Sequence, residues 1–202
     1  MTRISPTIST AISPPLLVFI GPSGAGKSSV VRRLADRGVV TVHPTWTSRP
    51  RRRDERVGSI EHHFVSEAEF ARRRAEGFFL HSVSMFGLPH WYGLPPIDWS
   101  DDGTVDAVML RAPLVPILRA VYPDLVIYQI DAPRDVVESR LATRGCVQAE
   151  RDARLLDNER ELVEGRRVAH RHFDNHGSLD VVIDAVAQAI RSDFAPALME
   201  AR

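Results

Sequence analysis

Short apolar runs alternate with amphipathic segments along most of this chain of 202 residues. Apolar runs predict buried strands at 16–20, at 105–110, where Asp106 interrupts the run, and at 125–130, which is nearly continuous. Shorter strands are predicted at 39–42, 58–65 and 169–173. Apolar positions with helical spacing predict helices at 29–37, 66–74, 113–120, 133–143, 150–167 and 179–194. Strands that alternate with helices in this way favour an α/β fold, in which helices flank a parallel sheet.

The regular pattern is interrupted in two places. Residues 1–14 are rich in Ser, Thr, Pro and Ile and predict a flexible tail. From about residue 44 to 97 the chain carries clustered arginines, aromatic residues, Gly and Pro, which predicts a small lobe inserted after the second strand. Within this lobe, 45–56 has no apolar periodicity and is predicted to be a loop. The expected organisation is therefore one domain, 15–202, with an inserted lobe.

The first predicted strand leads directly into a phosphate-binding motif. Gly21-Pro22-Ser23-Gly24-Ala25-Gly26-Lys27-Ser28 fits the P-loop pattern G-x-x-x-x-G-K-[ST]. Glycines allow the backbone to turn its N–H groups around an anion, and the following helix adds its positive end. Lys27 is expected to reach the β- and γ-phosphates of ATP, and the Ser28 hydroxyl to bind Mg²⁺. The predicted nucleotide contacts in this region are Gly21, Ser23, Gly24, Ala25, Gly26, Lys27, Ser28 and Ser29.

The use of lysine supports this interpretation. Lys27 is the one lysine among the 26 lysine and arginine residues of the chain. A lone lysine inside the motif indicates a position that needs a compact ammonium group rather than a planar guanidinium. A Gly-rich turn without function would not require the strand, the spacing, the lysine and the hydroxyl together.

Composition narrows the class of protein. The 26 acidic and 26 basic residues balance, which argues against a protein that mainly coats nucleic acid or an anionic membrane. The single Cys146 provides neither an intramolecular disulfide nor a metal-binding Cys pair. Apolar runs are too short for a membrane span or a signal-peptide core. We therefore expect a cytoplasmic monomer or homodimer that has no nucleic-acid or membrane partner.

The stretch from Arg49 to Arg56 contains five arginines. Because guanidinium groups bind phosphate oxygens in pairs, one interpretation is a clamp for a phosphorylated substrate. A solvated basic loop and a nucleic-acid patch are the alternatives. The nearby P-loop favours the clamp for one or two of these arginines.

Histidines cluster in the predicted lobe without the spacing of a metal site. We expect His62 and His81 to form hydrogen bonds at the pocket, and the other histidines to lie at the surface. Asp131 ends a predicted strand, where it could be either a Walker-B carboxylate or the N-cap of the helix that Pro133 opens.

Over about residues 16–194 the chain resembles the guanylate kinase superfamily of P-loop phosphotransferases. The resemblance implies a P-loop NTPase fold, a small acceptor-binding lobe, a helical lid at about 144–160, and ATP and Mg²⁺ as cofactors. It depends on the P-loop together with motifs in the family's order: Thr47-Ser48-Arg49-Pro50-Arg51-Arg52, Phe64-Val65-Ser66-Glu67-Ala68-Glu69-Phe70, Gly77-Phe78-Phe79-Leu80, Tyr92-Gly93 and Arg140-Leu141-Ala142-Thr143-Arg144-Gly145.

The resemblance also implies roles for individual residues. Arg49, Arg52 and Tyr92 would hold the phosphate of the acceptor. Lys27, Arg140 and Arg154 would be catalytic residues that neutralise the transferring phosphoryl group, with Arg144 beside them at the nucleotide. Asn175 would lie near the ATP base. Such a set suits phosphoryl transfer, which depends on positioning and charge compensation.

Departures from the family pattern fall mainly on the acceptor side. His81 and Met109 stand where guanylate kinases read guanine with two carboxylates, and the loss of such buried partners should weaken base discrimination. His62 replaces a tyrosine of the lobe. Arg111 replaces an acidic residue near the metal, which weakens the expectation for Mg²⁺ ligation beyond Ser28.

Other positions look more like ribose 1,5-bisphosphate phosphokinases, a sister family that makes 5-phosphoribosyl 1-diphosphate from a sugar bisphosphate. They include Gly58-Ser59, His62 and the stretch Asn175-His176-Gly177-Ser178-Leu179, whereas the arginine loop has guanylate kinase length. The sequence therefore predicts an ATP-dependent kinase for a small phosphorylated acceptor, with ribose 1,5-bisphosphate ranked ahead of GMP or another nucleoside monophosphate.

Two alternatives belong to other classes of protein. A guanylate kinase-like binding module without catalysis is favoured by Arg111 and opposed by the intact P-loop. Nucleic-acid binding through Arg49–Arg56 is opposed by the zero net charge.

Overall fold

The computed structural model describes residues 15–51, 55, 60–84, 89–143 and 148–195. Its larger sheet is parallel and five-stranded, and is built from β1 (Leu16–Ile20), β2 (Val40–Val42), β7 (Val105–Met109), β8 (Leu125–Asp131) and β9 (Arg171–Asp174). The strand order is β2-β7-β1-β8-β9, with β1 in the centre and β9 at an edge. The predicted α/β fold with a parallel sheet is thus confirmed.

Helices cover both faces of this sheet. Leu17 and Phe19 of β1 point toward α1 (Lys27–Asp36) and α6 (Leu179–Asp193), where they enter one buried cluster. Leu16, Val18 and Ile20 enter a second cluster on the opposite face, which includes the 3-10 turn Ala112–Leu114 and α3 (Val115–Arg119). The alternation explains why the central strand is apolar at every position, since both of its faces are buried.

Two more helices lie beside the P-loop. These are α4 (Arg134–Thr143) and the long α5 (Gln148–Val168). Val137 and Leu141 of α4 bury Ala25 of the loop in a small third cluster. The short helix before β8 and the helix that follows Pro133 both lie where the sequence predicts them. Within the described ranges, no helix combines the length and apolarity needed to cross a bilayer.

A second sheet consists of four short strands. It contains β3 (Thr45–Thr47), β4 (His62–Phe64), β5 (His81–Ser84) and β6 (Trp91–Leu94), in the order β4-β3-β6-β5. The helix α2 (Glu67–Ala75) follows β4, and the Ser66 side chain accepts a hydrogen bond from the Glu69 N–H at 3.1 Å, as predicted for its N-cap. The predicted cap at Ser178 occupies the N-cap position of α6 but makes no side-chain capping bond.

The prediction of a loop throughout 45–56 was wrong at its start, because 45–47 forms the strand β3. The ring of Trp46 lies 4.9 Å from that of Phe78 and 5.9 Å from that of Phe79, measured between centroids. These contacts with distant residues hold a strand that is too short to show its own periodicity. Strands β5 and β6 likewise arise within the aromatic, Gly- and Pro-rich stretch 81–96.

Candidate active site

The P-loop connects β1 to α1 and takes the shape of an anion-binding turn. Gly26 adopts a left-handed conformation with φ of 90° and forms the N-cap of α1. A side chain there would also meet the Asn175 amide, since a Cβ would lie 2.3 Å from its Nδ2 atom. Gly21 is equally constrained, because its φ is 134° and a Cβ would lie 2.0 Å from the Ile130 carbonyl oxygen. Both glycines are therefore required by conformation and by space.

The ammonium group of Lys27 lies over the beginning of the loop. Its Nζ donates to the Gly21 carbonyl, and to the Pro22 carbonyl at 3.0 Å. Lys27 and Ser28 both line the large cleft between the two sheets, together with Ser23, Gly24 and Gly26. Of the other predicted nucleotide contacts, Ala25 is fully buried and Ser29 is exposed at the start of α1.

Side chains from outside the loop hold its carbonyl groups. Arg140 of α4 donates from Nη1 to the Ala25 carbonyl at 3.1 Å and from Nη2 to the Asn175 carbonyl at 3.0 Å. Asn175 in turn donates from Nδ2 to the Ala25 carbonyl at 2.7 Å. The structure therefore places Arg140 and Asn175 against the loop backbone, while their roles at the phosphoryl group and the base stay predictions.

Helix α5 presents a buried polar face to the same loop. Arg154, Asn158 and Glu161, spaced by four and three residues, lie on one side of the helix and are all buried. Leu156 on the opposite side is 74% exposed. Sequence reasoning singled out Arg154 but missed Asn158 and Glu161, because a charged helix suggests that its polar residues face water.

The three residues contact successive parts of the loop. Arg154 donates from Nη1 to the Ser23 hydroxyl at 3.2 Å. The Asn158 amide accepts from the Ser23 N–H at 2.7 Å and donates to the Ser23 carbonyl at 2.9 Å. The Glu161 carboxylate accepts from the Gly21 N–H at 3.0 Å. The first half of the loop is thus fixed by one helix.

Arg111 is neutralised by acidic residues of α5. Its Nε lies 2.8 Å from a Glu161 carboxylate oxygen and its Nη2 lies 2.5 Å from Asp157. Glu161 also accepts from the Ala112 N–H at 3.0 Å, so a single buried carboxylate joins the P-loop to the end of β7. Arg111 lines the cleft, where the resemblance implied an acidic residue.

Asp131 does not cap α4, which begins at Arg134, and its role as a Walker-B carboxylate stays a prediction. Its carboxylate accepts from the N–H of the adjacent Ala132 at 2.7 Å, and it is not among the residues that line the cleft. Burial raises the pKa of Asp131, and the hydrogen bond from Ala132 opposes that shift in part.

Across the cleft, Arg49 forms a buried ion pair. Its two Nη atoms donate to the two oxygens of Glu55, at 2.7 and 2.5 Å. Arg49 is 7% exposed, and its guanidinium carbon lies 5.0 Å from the centroid of the Phe64 ring. Burial lowers the pKa of Arg49, but the hydrogen bonds that it donates to Glu55 and the charge of Tyr92 raise it by more. The net pKa therefore lies above its ordinary value. A permanent, rigidly held cation thus faces the P-loop.

The predicted acceptor residues come together at this cleft. Arg49, His62, His81, Tyr92 and Met109 all line it, and its volume is about 190 Å³. The Thr45 hydroxyl lies 2.7 Å from His62 Nδ1, which fixes that ring at the junction of β3 and β4. Arg52 and Arg144, the remaining predicted contacts, lie outside the described residues.

An apolar wall forms the third side of the cleft. We use this term for Leu114, Ile117, Leu118 and Val121, which belong to the 3-10 turn, to α3 and to the turn after it. Ile117 is 41% exposed and Val121 is 44% exposed, so the cleft holds apolar surface beside its charged groups. Sequence reasoning missed this wall, since a short helix with Leu, Ile and Val looks like a core helix.

The parallel sheet, the P-loop and the facing arginine define a P-loop kinase.

No protein-family model matches the chain. Among curated proteins, it is 34% identical over 166 residues to "Ribose 1,5-bisphosphate phosphokinase PhnN" of Laribacter hongkongensis, a match that covers 73% of this chain but only 39% of that protein. It is 32% identical over 159 residues to a guanylate kinase of Symbiobacterium thermophilum, covering 73% of this chain and 71% of that protein.

A solved structure shows the same fold. The crystal structure of guanylate kinase from Anaplasma phagocytophilum superposes with a TM-score of 0.66 at 20% identity, covering 89% of this chain and 86% of that one. The chain belongs to the guanylate kinase-like superfamily of P-loop kinases, which confirms the predicted family and the predicted class of phosphotransferase.

Proposed function

We propose that the protein transfers the γ-phosphoryl group of ATP to a phosphate group of a small acceptor. The observation that carries this proposal is that Lys27 and Ser28 of the P-loop share one cleft with Arg49 and Tyr92. In the reaction an acceptor phosphate oxygen forms a bond to the γ-phosphorus while the bond to the β,γ-bridging oxygen breaks, and ADP leaves. Such a step requires in-line positioning and compensation of negative charge, which these residues are suited to supply.

Mg²⁺ fits the donor side of the cleft. Ser28 would bind it, and Mg²⁺ usually completes its coordination with several waters and substrate phosphates, so that few protein ligands are needed. The described residues contain no cluster of three or more His, Cys, Asp or Glu that could hold a metal by itself. The ion would neutralise charge on the β- and γ-phosphates.

For the acceptor we rank ribose 1,5-bisphosphate first, which would give 5-phosphoribosyl 1-diphosphate. The support is the chemistry of the cleft opposite the P-loop, where His81 and Met109 replace carboxylates that would read a guanine. The two carboxylates that do line the cleft in the described ranges each accept from an arginine, Glu55 from Arg49 and Glu61 from Arg32. They are therefore poorly suited to accept hydrogen bonds from a base.

A nucleoside monophosphate is the second candidate, and the apolar wall favours it. A flat base could cover Ile117 and Val121, whereas a sugar bisphosphate has no apolar face of that size. The cytoplasmic location and the monomeric or homodimeric state remain predictions.

An acceptor panel tests the proposal. Purified protein with Mg²⁺ and ATP is assayed for ADP release with ribose 1,5-bisphosphate, GMP, dGMP and other nucleoside monophosphates. We expect the highest kcat/KM with the sugar bisphosphate. A higher kcat/KM with GMP would overturn the ranking, and ATP binding without turnover on any acceptor would instead support a non-catalytic binding module.

A further inference from the structure

Asn158 makes an unusual contact with the phosphate-binding loop. Its side-chain amide pairs with both polar backbone groups of one residue, accepting from the Ser23 N–H at 2.7 Å and donating to the Ser23 carbonyl at 2.9 Å. Asn158 is 5% exposed, so water competes little for these bonds. The pairing imitates the contact that a neighbouring strand would make, at a point where the chain has left the sheet.

Donors outside the cleft hold two carbonyl groups of the loop. The carbonyl of Ser23 accepts from Asn158, and that of Ala25 accepts from Arg140 and Asn175. None of these three donors is among the residues that line the cleft, whereas Ser23, Gly24 and Gly26 are. The carbonyls are thus drawn toward the outside of the loop. A loop that binds phosphate needs this polarity, because its N–H groups must face the anion.

We infer that Asn158 is a positioning residue of the ATP site, which sets the conformation of the P-loop by pairing with the Ser23 backbone. Only a side chain that both donates and accepts can make this pair, and an amide of this length reaches from α5. The inference depends on the proposed binding of ATP at the P-loop. It does not require Asn158 to contact the nucleotide.

The test compares ATP binding in the parent protein and in Asn158→Leu, measured by calorimetry with Mg²⁺ and ATP. Leucine has a similar volume but leaves the Ser23 N–H and carbonyl without these partners. We expect the Kd for ATP to rise roughly tenfold, as loss of a buried hydrogen-bonded pair implies. The KM for the acceptor should change less than about twofold, since the substitution does not reach the acceptor side.

Glu159→Gln provides the matched control. Glu159 is the next residue of α5, lies at the surface and pairs with Arg134, so its substitution should leave the Kd for ATP unchanged. Asn158→Ala serves as a second variant if the leucine is not accommodated, and thermal unfolding checks that each variant is folded. A folded Asn158 variant that binds ATP within about twofold of the parent would overturn the inference. A parent protein that does not bind ATP would instead overturn the proposed function.

Discussion

The two sides of the cleft are stabilised in different ways. The donor loop is held by contacts with α4, α5 and the segment after β9, over sequence separations of 115 to 150 residues. On the acceptor side the principal contacts join residues of the lobe to one another, such as that between Arg49 and Glu55, six residues apart, and that between Thr45 and His62, 17 residues apart. The difference teaches that substitutions in the lobe can change the acceptor without disturbing the loop, whereas the donor site depends on the whole core.

The largest expected effect is on kcat, when the ammonium group of Lys27 in the P-loop is removed or replaced. Lys27→Ala should lower kcat by roughly 10²–10³-fold, because a cation at the transferring phosphoryl group is lost. Lys27→Arg, which keeps the charge, should also lose most of its activity, since a planar guanidinium does not replace the ammonium. Both are measured by ADP release. If Lys27→Arg retained full turnover, a generic positive charge would be sufficient at this position.

The next effect concerns the acceptor side. Arg49→Ala should raise the acceptor KM about tenfold or more and leave the KM for ATP unchanged. It should also destabilise the protein, because it leaves the Glu55 carboxylate buried without its main cation.

The double variant Arg49→Ala/Glu55→Ala distinguishes these two consequences. It should recover much of the lost stability in thermal unfolding but none of the acceptor affinity. Recovery of both would mean that Arg49 only balances the charge of Glu55 and does not bind the acceptor.

A smaller effect distinguishes the two acceptor candidates. Val121→Ser should raise the KM for nucleoside monophosphates about threefold, because their bases would lose an apolar contact, and should leave the KM for ribose 1,5-bisphosphate unchanged. Val181→Ser on the outer face of α6 is the control, since Val181 is also exposed but lies away from the cleft. Equal changes in KM for both classes of acceptor would show that the apolar wall does not distinguish them.

The smallest effect is on the pH dependence of stability, and it concerns contacts between the core sheet and α6. Asp193 accepts from the Tyr128 hydroxyl at 2.7 Å and from Arg171 Nε at 2.6 Å, and the bond from Arg171 lowers the pKa of Asp193 below its ordinary 3.8. A lowered carboxylate pKa adds stability above pH 3.8, and this stability is lost as the pH falls through the folded-state value.

Asp193→Asn should therefore reduce the loss of stability on acidification. Urea unfolding at about pH 7 and about pH 3 measures this dependence, and the variant should show the smaller difference between the two. The parent and the variant would lose equal stability if Asp193 contributed nothing.

The strand, loop and helix order around the P-loop could be predicted from the sequence because its signals are local. A strand without polar residues, the glycine pattern and Lys27 occur within 13 residues, from 16 to 28. The convergence of His62, His81 and Met109 on one cleft could be expected only from the family resemblance, since they come from three different strands.

There is a physical reason why the sequence did not reveal the polar inner face of α5. Hydrophobic periodicity identifies a buried face only when that face packs against apolar side chains. Asn158 and Glu161 are buried against backbone N–H and carbonyl groups, and their polarity is what that environment requires. Strand β3 was missed because the residues that hold Trp46, which are His63, Phe78 and Phe79, lie 17 to 33 positions away along the chain.

The lone lysine of the P-loop also has a practical consequence for protein chemistry. Apart from the amino terminus, Lys27 carries the only primary amine of the chain. An amine-directed acylating reagent would therefore modify a single side chain, located at the donor site. Peptide mass spectrometry of acylated protein, with and without nucleotide, would read out occupancy of that site without any engineered label.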